Sequence, residues 1–377
     1  MNGNAPILPE HLLAKYNDDK GSFNTAPYNA LPVGSGPFKV VQWQRGQEVR
    51  MEVNPDFYLG TPKLKEVVYK ILPDENTAQT ELQTHELDML ALGSGLKWPQ
   101  YQSLAADPKN GLTAIRVDGF RFTHIDFNLR HPIVGDVKVR RALAYATDRN
   151  EIVSKVLHGS GIPAETDQHP TFSWAYTKDV VHYPFDPAQA RAALDAAGWI
   201  AGPDGIRTKN GQRLEFTIGT QTESTYGKQV EEVLQREWRD VGVQADVKNY
   251  PSSQFFDNSS NGVVEGGNYD VALFSWTGAA DPDDSAIYSA DNMAPHGQNA
   301  MHWNNARATA AMNDALQTID RRRRKRDYVV VQQQMALDVP TIVIDFVRTP
   351  FVYNSDLKGF DPSPVITAFW DPWNYSI

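Results

Sequence analysis

Apolar and polar residues alternate with a period of two over 38–43 and again over 49–53, on either side of Arg45-Gly46. That pattern predicts a half-buried hairpin, and Val67, Tyr69 and Ile71 carry it into a third strand. Ahead of the hairpin, 5–37 is rich in Pro, Gly and Asn, which predicts loops with one short helix over 10–16. After it, Asn76 is the expected cap of a helix carrying Ala78 and Leu82. The apolar run 87–92 then predicts a buried strand leading into a Gly93-Ser94-Gly95 loop. The first third of the chain therefore reads as an α/β lobe.

From Asp126 the pattern changes to capped helices separated by short strands. Asp148 with Glu151 makes a capping box, Ile152, Val153, Val156 and Leu157 line one helical face, and Gly159 stops the helix. Asp186-Pro187 places a cap and an N1 proline before Ala190, Ala193, Leu194 and Ala197, with Gly198 as the stop. Asn210-Gly211 predicts a tight hairpin between 206–208 and the alternating Leu214, Phe216 and Ile218. Val230, Val233, Leu234, Trp238 and Val241 form a helical stripe closed by Gly242, followed by a strand through Val243, Ala245 and Val247. A buried strand over 269–274 empties into a loop from Trp276 to Asp284. Helices around 308–319 and 327–337 and a strand over 341–347 complete the pattern, and no internal repeat is present.

At 377 residues the chain is long enough for two lobes. Its 11% aromatic content, with nine Trp, suits a binding cleft as well as it suits large cores. The net charge of −10 argues against nucleic-acid or anionic-membrane binding. The basic run Arg321 to Arg326 reads instead as the solvated first turn of a helix capped by Asp320. The absence of cysteine excludes disulfides, thiolate nucleophiles and Cys-ligated zinc. No apolar run approaches the roughly 18 residues of a membrane span, so no direct insertion is expected. The opening MNGNAPILPEHLL has neither the basic nor the apolar region of a secretory signal.

The sequence offers no catalytic residue, cofactor or metal site. HExxH, Walker and GxSxG patterns are absent, and the Gly-Ser-Gly triplets at 34–36, 93–95 and 159–161 read as turns. His296 and His302 are the nearest approach to a metal pair and read as loop residues. The acids Asp281, Asp283 and Asp284 begin like a calcium loop, but Asn292 stands where the bidentate Glu belongs. A hydrolase built on Asp281 and Asp283 is the remote reading, since no second catalytic element accompanies them. The same loop is the best binding candidate, because ligands gather beyond the carboxyl ends of strands in α/β folds. Trp276 offers a flat wall, Thr277 a hydroxyl, and Asp281 or Asp283 a partner for an ammonium group. The competing expectation is that these acids cap a helix near 285–289.

The stretches ILPEHLL, PVGSGPFKVVQW, NPDFYLGTPKL, FNLRHPIVGDVKVRRALAYATDR, FDPAQARAALDAAGW and YDVALFSWTGAADPD occur in that order. Together they resemble the extracellular solute-binding proteins of family 5, which include peptide receptors of ABC importers. The resemblance implies a type II periplasmic-binding-protein fold, α/β in class, with two lobes and a hinge. It places 1–124 and 348–377 in a partial lobe one and 125–347 in a complete lobe two, with hinge crossings near 123–127 and 345–350. It implies a non-enzymatic receptor, periplasmic or at the cell surface, that hands peptides to a membrane permease. An oligosaccharide, a metal chelate or an opine-like compound is the alternative solute. The implied ligand-binding residues are Trp276, Thr277, Gly278, Asp281 and Asp283, with hinge-side Asp345 and Phe346.

Two departures accompany the resemblance. The family's N-terminal segment, with its first strands and small extra domain, is missing ahead of ILPEHLL, which predicts an exposed sheet edge and self-association. Ala279 stands where dipeptide receptors carry the Asp that binds the peptide amino group, so either the amine partner has moved to Asp281 or the ligand is not a peptide with a free N-terminus.

Overall fold

The computed structural model describes residues 7–17, 22–72, 74–90, 96, 98–107, 109–363 and 369–377. The expected loop at 93–95 and the end of the expected strand over 87–92 lie outside the described residues. The chain forms two compact units, Met1–Val117 with Pro350–Ile377, and Asp118–Thr349.

In the first unit, β1 (Phe38–Gln44), β2 (Glu48–Val53) and β3 (Glu66–Lys70) make an antiparallel meander in the order of the sequence. Helix α1 (Glu75–Gln83) starts earlier than its expected cap. Asp74, not Asn76, accepts from the Asn76 and Thr77 amides, both at 2.9 Å. An anionic acceptor at the positive end of a helix gains from the dipole as well as the hydrogen bonds. Helix α2 (Trp98–Ala106) turns Trp98, Tyr101 and Leu104 onto Leu82, Leu90 and Val352. The strand expected over 87–92 is reduced, among the described residues, to a single bridge between Met89 and Tyr353.

The second unit is built on a six-stranded sheet. Strand β4 (Leu112–Phe127) begins in the first unit and continues into the second. Then come β5 (Gly161–Pro163), the small three-stranded sheet of β6 (Ile200–Ala201), β7 (Arg207–Lys209) and β8 (Gln212–Arg213), and β9 (Glu215–Gly219). The last strands are β10 (Gln244–Val247), β11 (Val271–Thr277) and β12 (Thr341–Asn354). The large sheet has the order β10-β9-β11-β4-β12-β5. Strands β10, β9 and β11 are parallel, whereas β11 runs antiparallel to β4 with Trp276 opposite Phe122 and Thr277 opposite Arg121. The expected hairpin at Asn210-Gly211 forms, with φ of 51° and 80°, but it joins β7 to β8, and Phe216 and Ile218 pass on into the large sheet.

Both faces of this sheet are covered. Ile125, Phe127, Val271 and Leu273 point into one core with Leu143, Leu194, Leu234 and Trp238 from α3 (Val137–Tyr145), α4 (Pro187–Ala196) and α5 (Thr225–Asp240). Phe122 points the other way, into a second core with Tyr288, Trp303, Met312, Met335 and Phe346. That double burial explains why the strand over 269–274 reads as a continuous apolar run and not as an alternation.

Helix α6 (Ala306–Leu316) is followed by α7 (Arg321–Asp338), which carries the apolar stretch read at 327–337 and starts with the basic run, as the Asp320 cap predicts. Asp320 caps it, accepting from the Arg322 and Arg323 amides at 2.8 and 3.4 Å, so the basic run is its first turns. At its other end Val339 takes a left-handed conformation, φ 46°, which a β-branched residue adopts only under constraint. The constraint is Arg140 of α3. Its guanidinium donates to Asp338 O (3.1 and 2.6 Å), Val339 O (2.8 Å), Val134 O (3.0 Å) and Gly135 O (2.7 Å). A cation at the negative end of a helix, with every face hydrogen-bonded, fixes two helices against the sheet.

The capping box is half formed. Asp148 accepts from the Glu151 amide at 2.9 Å, but the Asp148 amide donates to Glu237 of α5 at 3.0 Å. Glu151 pairs with Lys155 and Arg236 instead. A distant carboxylate has replaced the local one.

Candidate functional site

Strand β11 delivers the 278–284 loop. The Gly278 amide donates to Phe120 O at 3.0 Å, extending the β11–β4 ladder by one step. A Cβ at this position would stand 3.2 Å from that carbonyl oxygen, so glycine permits the loop to lie close on β4. The loop then crosses a narrow crevice of about 10 Å³, room for a single water, lined by Phe120, Phe122, Phe172, Gly278, Ala279, Asp281, Pro282, Asp284 and the segment Asp167-Gln168-His169.

That segment follows β5, which pairs with β12 at Asp345 to Val347. Ala164 N then bonds Ile344 O at 3.0 Å, so the chain is pinned just before it enters the site. Gln168 is the tie: its amide donates to Asp167 Oδ2 (3.2 Å), Pro282 O (3.0 Å) and Asp284 Oδ2 (2.5 Å). Asp167 and Asp284 are also hydrogen-bonded side chain to side chain. Burial pushes the Asp167 carboxyl up and the Asp284 carboxyl well up, and for Asp284 the charge of Asp167 adds to the shift. Two carboxyls in one desolvated place cannot both ionise cheaply, and a shared proton relieves them.

The hydrogen bonds of this cluster are incomplete. Asp167 Oδ1, Gln168 Oε1, His169 Nε2 and Tyr288 OH are buried with no partner among the described residues. The residues that carry them are at most 4% exposed. His169 Nδ1 accepts from the Thr171 amide at 3.1 Å, which assigns the proton to Nε2. Burial holds the His169 pKa below its usual value, so the ring is neutral at pH 7.

The residues expected from sequence are distributed around this cluster. Gly278 and Asp281 line the crevice. Asp281 is already engaged: the Arg324 guanidinium grips both of its oxygens, one at 2.8 Å, and Tyr328 OH donates at 3.3 Å. Arg324 lies 5.4 Å over the Trp174 ring and 5.3 Å from the Tyr328 ring. An ammonium group at Asp281 must therefore compete with a bidentate guanidinium. Asp283 accepts from the Ser285 amide at 3.0 Å, but the N-cap of the short helix Ser285–Tyr288 is Asp284, whose side chain makes no capping hydrogen bond, so neither Asp281 nor Asp283 is the expected cap. Trp276 packs against the second core and Thr277 is exposed. Phe346 is buried behind the site with its ring 4.6 Å from that of His169. Asp345, its neighbour, accepts from Tyr226 OH at 3.1 Å, and burial raises its carboxyl to about 6.

The sequence reading missed Asp167, Gln168, His169 and Phe172, and it saw Asp284 only as one of three loop acids. The legible signal was the polar run Thr166-Asp167-Gln168-His169 ahead of Pro170, but nothing in sequence brings it to residues more than a hundred positions away. Among the described residues no three His, Asp or Glu side chains converge to hold a metal ion. Among them, too, no helix is long and apolar enough to cross a membrane.

Residues 2–297 match the family described as bacterial extracellular solute-binding proteins, family 5 Middle. The oligopeptide-binding protein AppA of Bacillus subtilis is 28% identical over 364 residues, covering 95% of this chain and 64% of that protein. The chain thus spans less than two thirds of that relative's length. Among solved structures, AppA of Bacillus subtilis with a nonapeptide superposes with a TM-score of 0.80 at 26% identity, covering 99% of this chain and 72% of that one. NikZ of Campylobacter jejuni with Ni(L-His) superposes at 0.78 with 27% identity, covering 98% and 72%. A mixed α/β fold with a large sheet is what these proteins share with the chain. With most of its length inside the family match, the chain belongs to the bacterial extracellular solute-binding proteins of family 5.

Proposed function

We propose that this chain is the solute-receiving part of an ABC importer. On this reading it binds a peptide outside the cytoplasmic membrane and presents it to a membrane permease. The observation that carries the reading is the incomplete polar cluster beneath the 278–284 loop, in a chain whose relatives include a peptide receptor. A buried donor or acceptor left unpaired costs about 1–3 kcal/mol, so such groups are retained where a ligand completes them. Phe120, Phe172 and Gly278 supply apolar and backbone surface around it. On this reading Phe346 backs the site through the His169 ring, and Trp276, Thr277, Asp283 and Asp345 contribute from outside the lining of the crevice. The chemistry is recognition and release without bond breaking, and the two compact units are the family's two lobes.

A second solute class has its own support. The NikZ relative is described with Ni(L-His), a metal chelate, on the same fold. Native mass spectrometry of the purified chain with a pool of short peptides, and separately with nickel and L-histidine, distinguishes the readings. Intact peptide adducts are the expected result. Adducts of the chelate alone would move the assignment to metal–amino-acid complexes, and cleaved peptides would replace the receptor with a hydrolase.

A further inference from the structure

Two segments more than a hundred residues apart are tied in the second unit by one side chain and one proton. Gln168 Nε2 lies within hydrogen-bond distance of Asp167 Oδ2, Pro282 O and Asp284 Oδ2, three acceptors around an amide that has two hydrogens. Asp167 and Asp284 are also bonded to each other, side chain to side chain. An ionised carboxylate can only accept, so that bond exists only while one of the two carboxyls keeps its proton. The proton is a structural part of the tie.

Much of the loop hangs on it. The Asp284 carbonyl accepts from the Ile287 and Tyr288 amides, both at 3.1 Å, and so starts the short helix Ser285–Tyr288. From Gly278 to Asp283 the only backbone-to-backbone bond among the described residues is Gly278 N to Phe120 O. The remaining anchors are Gln168, the shared proton and, at the rim, the Arg324–Asp281 pair.

No cation stands ready to replace the proton. Asp283 adds negative charge from the loop itself, and Tyr288 faces both acids from the short helix, with Asp126 and its partner His124 of β4 beyond it. His169, next to Gln168, is flanked by Asp118 and Arg348, which pair with each other, and Arg324 is bound to Asp281. Among the described residues none of these bases forms an ion pair with Asp167 or Asp284. Loss of the proton to solvent therefore leaves two carboxylates facing each other unscreened, and the contact that closed the loop becomes a repulsion.

We propose that the Asp167–Asp284 pair is a proton-dependent latch on the 278–284 loop, holding it against the segment after β5 while the shared proton is present and releasing it when the proton is lost. This regulation rests on the solute-binding reading above for the role of the loop. Its direction follows from the carboxyls, both held above their ordinary value by burial. A pair that binds its proton more tightly when folded stabilises the closed loop fully below about pH 4, and that contribution is lost as pH rises through the pair's own, higher titration.

Hydrogen exchange of the unliganded chain, followed by mass spectrometry from pH 5 to pH 9 and corrected for intrinsic exchange rates, tests the latch. Relative to α5, which carries the other raised carboxyls Glu231 and Glu237, protection over 277–289 should fall about tenfold or more across that range. In Asp167→Asn the carboxamide donates to Asp284 at every pH, so the fall should shrink below about threefold. Asp284→Asn supplies the same donor from the other side, so one folded variant of the two suffices. A wild-type loop whose protection is flat, or falls only in step with α5, overturns the latch, as does a slope unchanged in either variant. Because no ligand takes part, a failed latch leaves the receptor reading standing, and the peptide adducts decide that reading separately.

Discussion

Two buried ionic sites in the second unit make an instructive pair. At the C-terminal end of α7, the Arg140 guanidinium is 4% exposed as a residue and spends its donors on four backbone carbonyls. Burial lowers its pKa to about 10, which still leaves it charged at neutral pH. Beneath the 278–284 loop, Asp167 is equally buried yet keeps an oxygen with no partner, as does Gln168 beside it. Equal burial with opposite satisfaction separates a group whose hydrogen bonds hold the fold from one that, on the proposed reading, belongs to the binding site. Burial by itself does not identify a site, and neither does a single unpaired atom, since Trp98, Trp199 and Tyr269 carry one too; Asp167, Gln168 and His169 stand out because their unpaired atoms lie on consecutive residues.

The largest effect should come from breaking the satisfied partner. Arg140→Met leaves the α7 carbonyls and the strained Val339 without their donor, and should lower the unfolding free energy by about 3–5 kcal/mol. Urea unfolding measures it, and a loss under ~1 kcal/mol would show that the clamp is ornamental. Asp167→Asn should act in the opposite direction. Relieving a buried diacid should raise stability by about 1–2 kcal/mol at pH 7.5. Differential scanning calorimetry reads the gain, and destabilisation there would mean that the acid serves the fold.

A smaller effect sharpens the contrast through pH. Burial raises Glu231 and Glu237 on α5 to about 7, with Asn249 and the Asp148 amide opposing the shift. A carboxyl whose folded pKa exceeds its unfolded one stabilises the protein fully below about 4.5, and that contribution is lost as pH rises through about 7. The melting temperature should therefore drop between pH 5 and pH 8. Discounted for partial solvent screening, each residue contributes on the order of 1 kcal/mol to that drop. Glu237→Gln should flatten the profile, and an unchanged slope would place the titration elsewhere. The smallest effect is expected at the rim, where the Asp281 side chain is 50% exposed. Asp281→Asn should change stability by less than about 1 kcal/mol, less still in high salt.

Much of the fold was legible because it is written locally. Asp186-Pro187 capped α4, Asp320 capped the helix of the basic run, and Asn210-Gly211 turned β7 into β8, each within a few residues of its signal. The misreadings arose where a distant partner intervened. Glu237 took the role that the capping box assigned to Glu151, because α5 packs its carboxylate against the Asp148 amide. Asp281 read as a free amine partner and is held by Arg324, 43 positions away in sequence.

Composition, caps and apolar periodicity determined on their own that this is an α/β chain with a polar candidate loop after β11, and the ordered motifs determined its family. Tertiary structure alone decided which acids are spent and which remain open. Gln168 reaches Pro282 and Asp284, and Arg140 reaches Asp338 and Val339, more than a hundred positions away, and satisfaction of that kind is a property of the assembled pair that neither residue carries in its own neighbourhood of sequence.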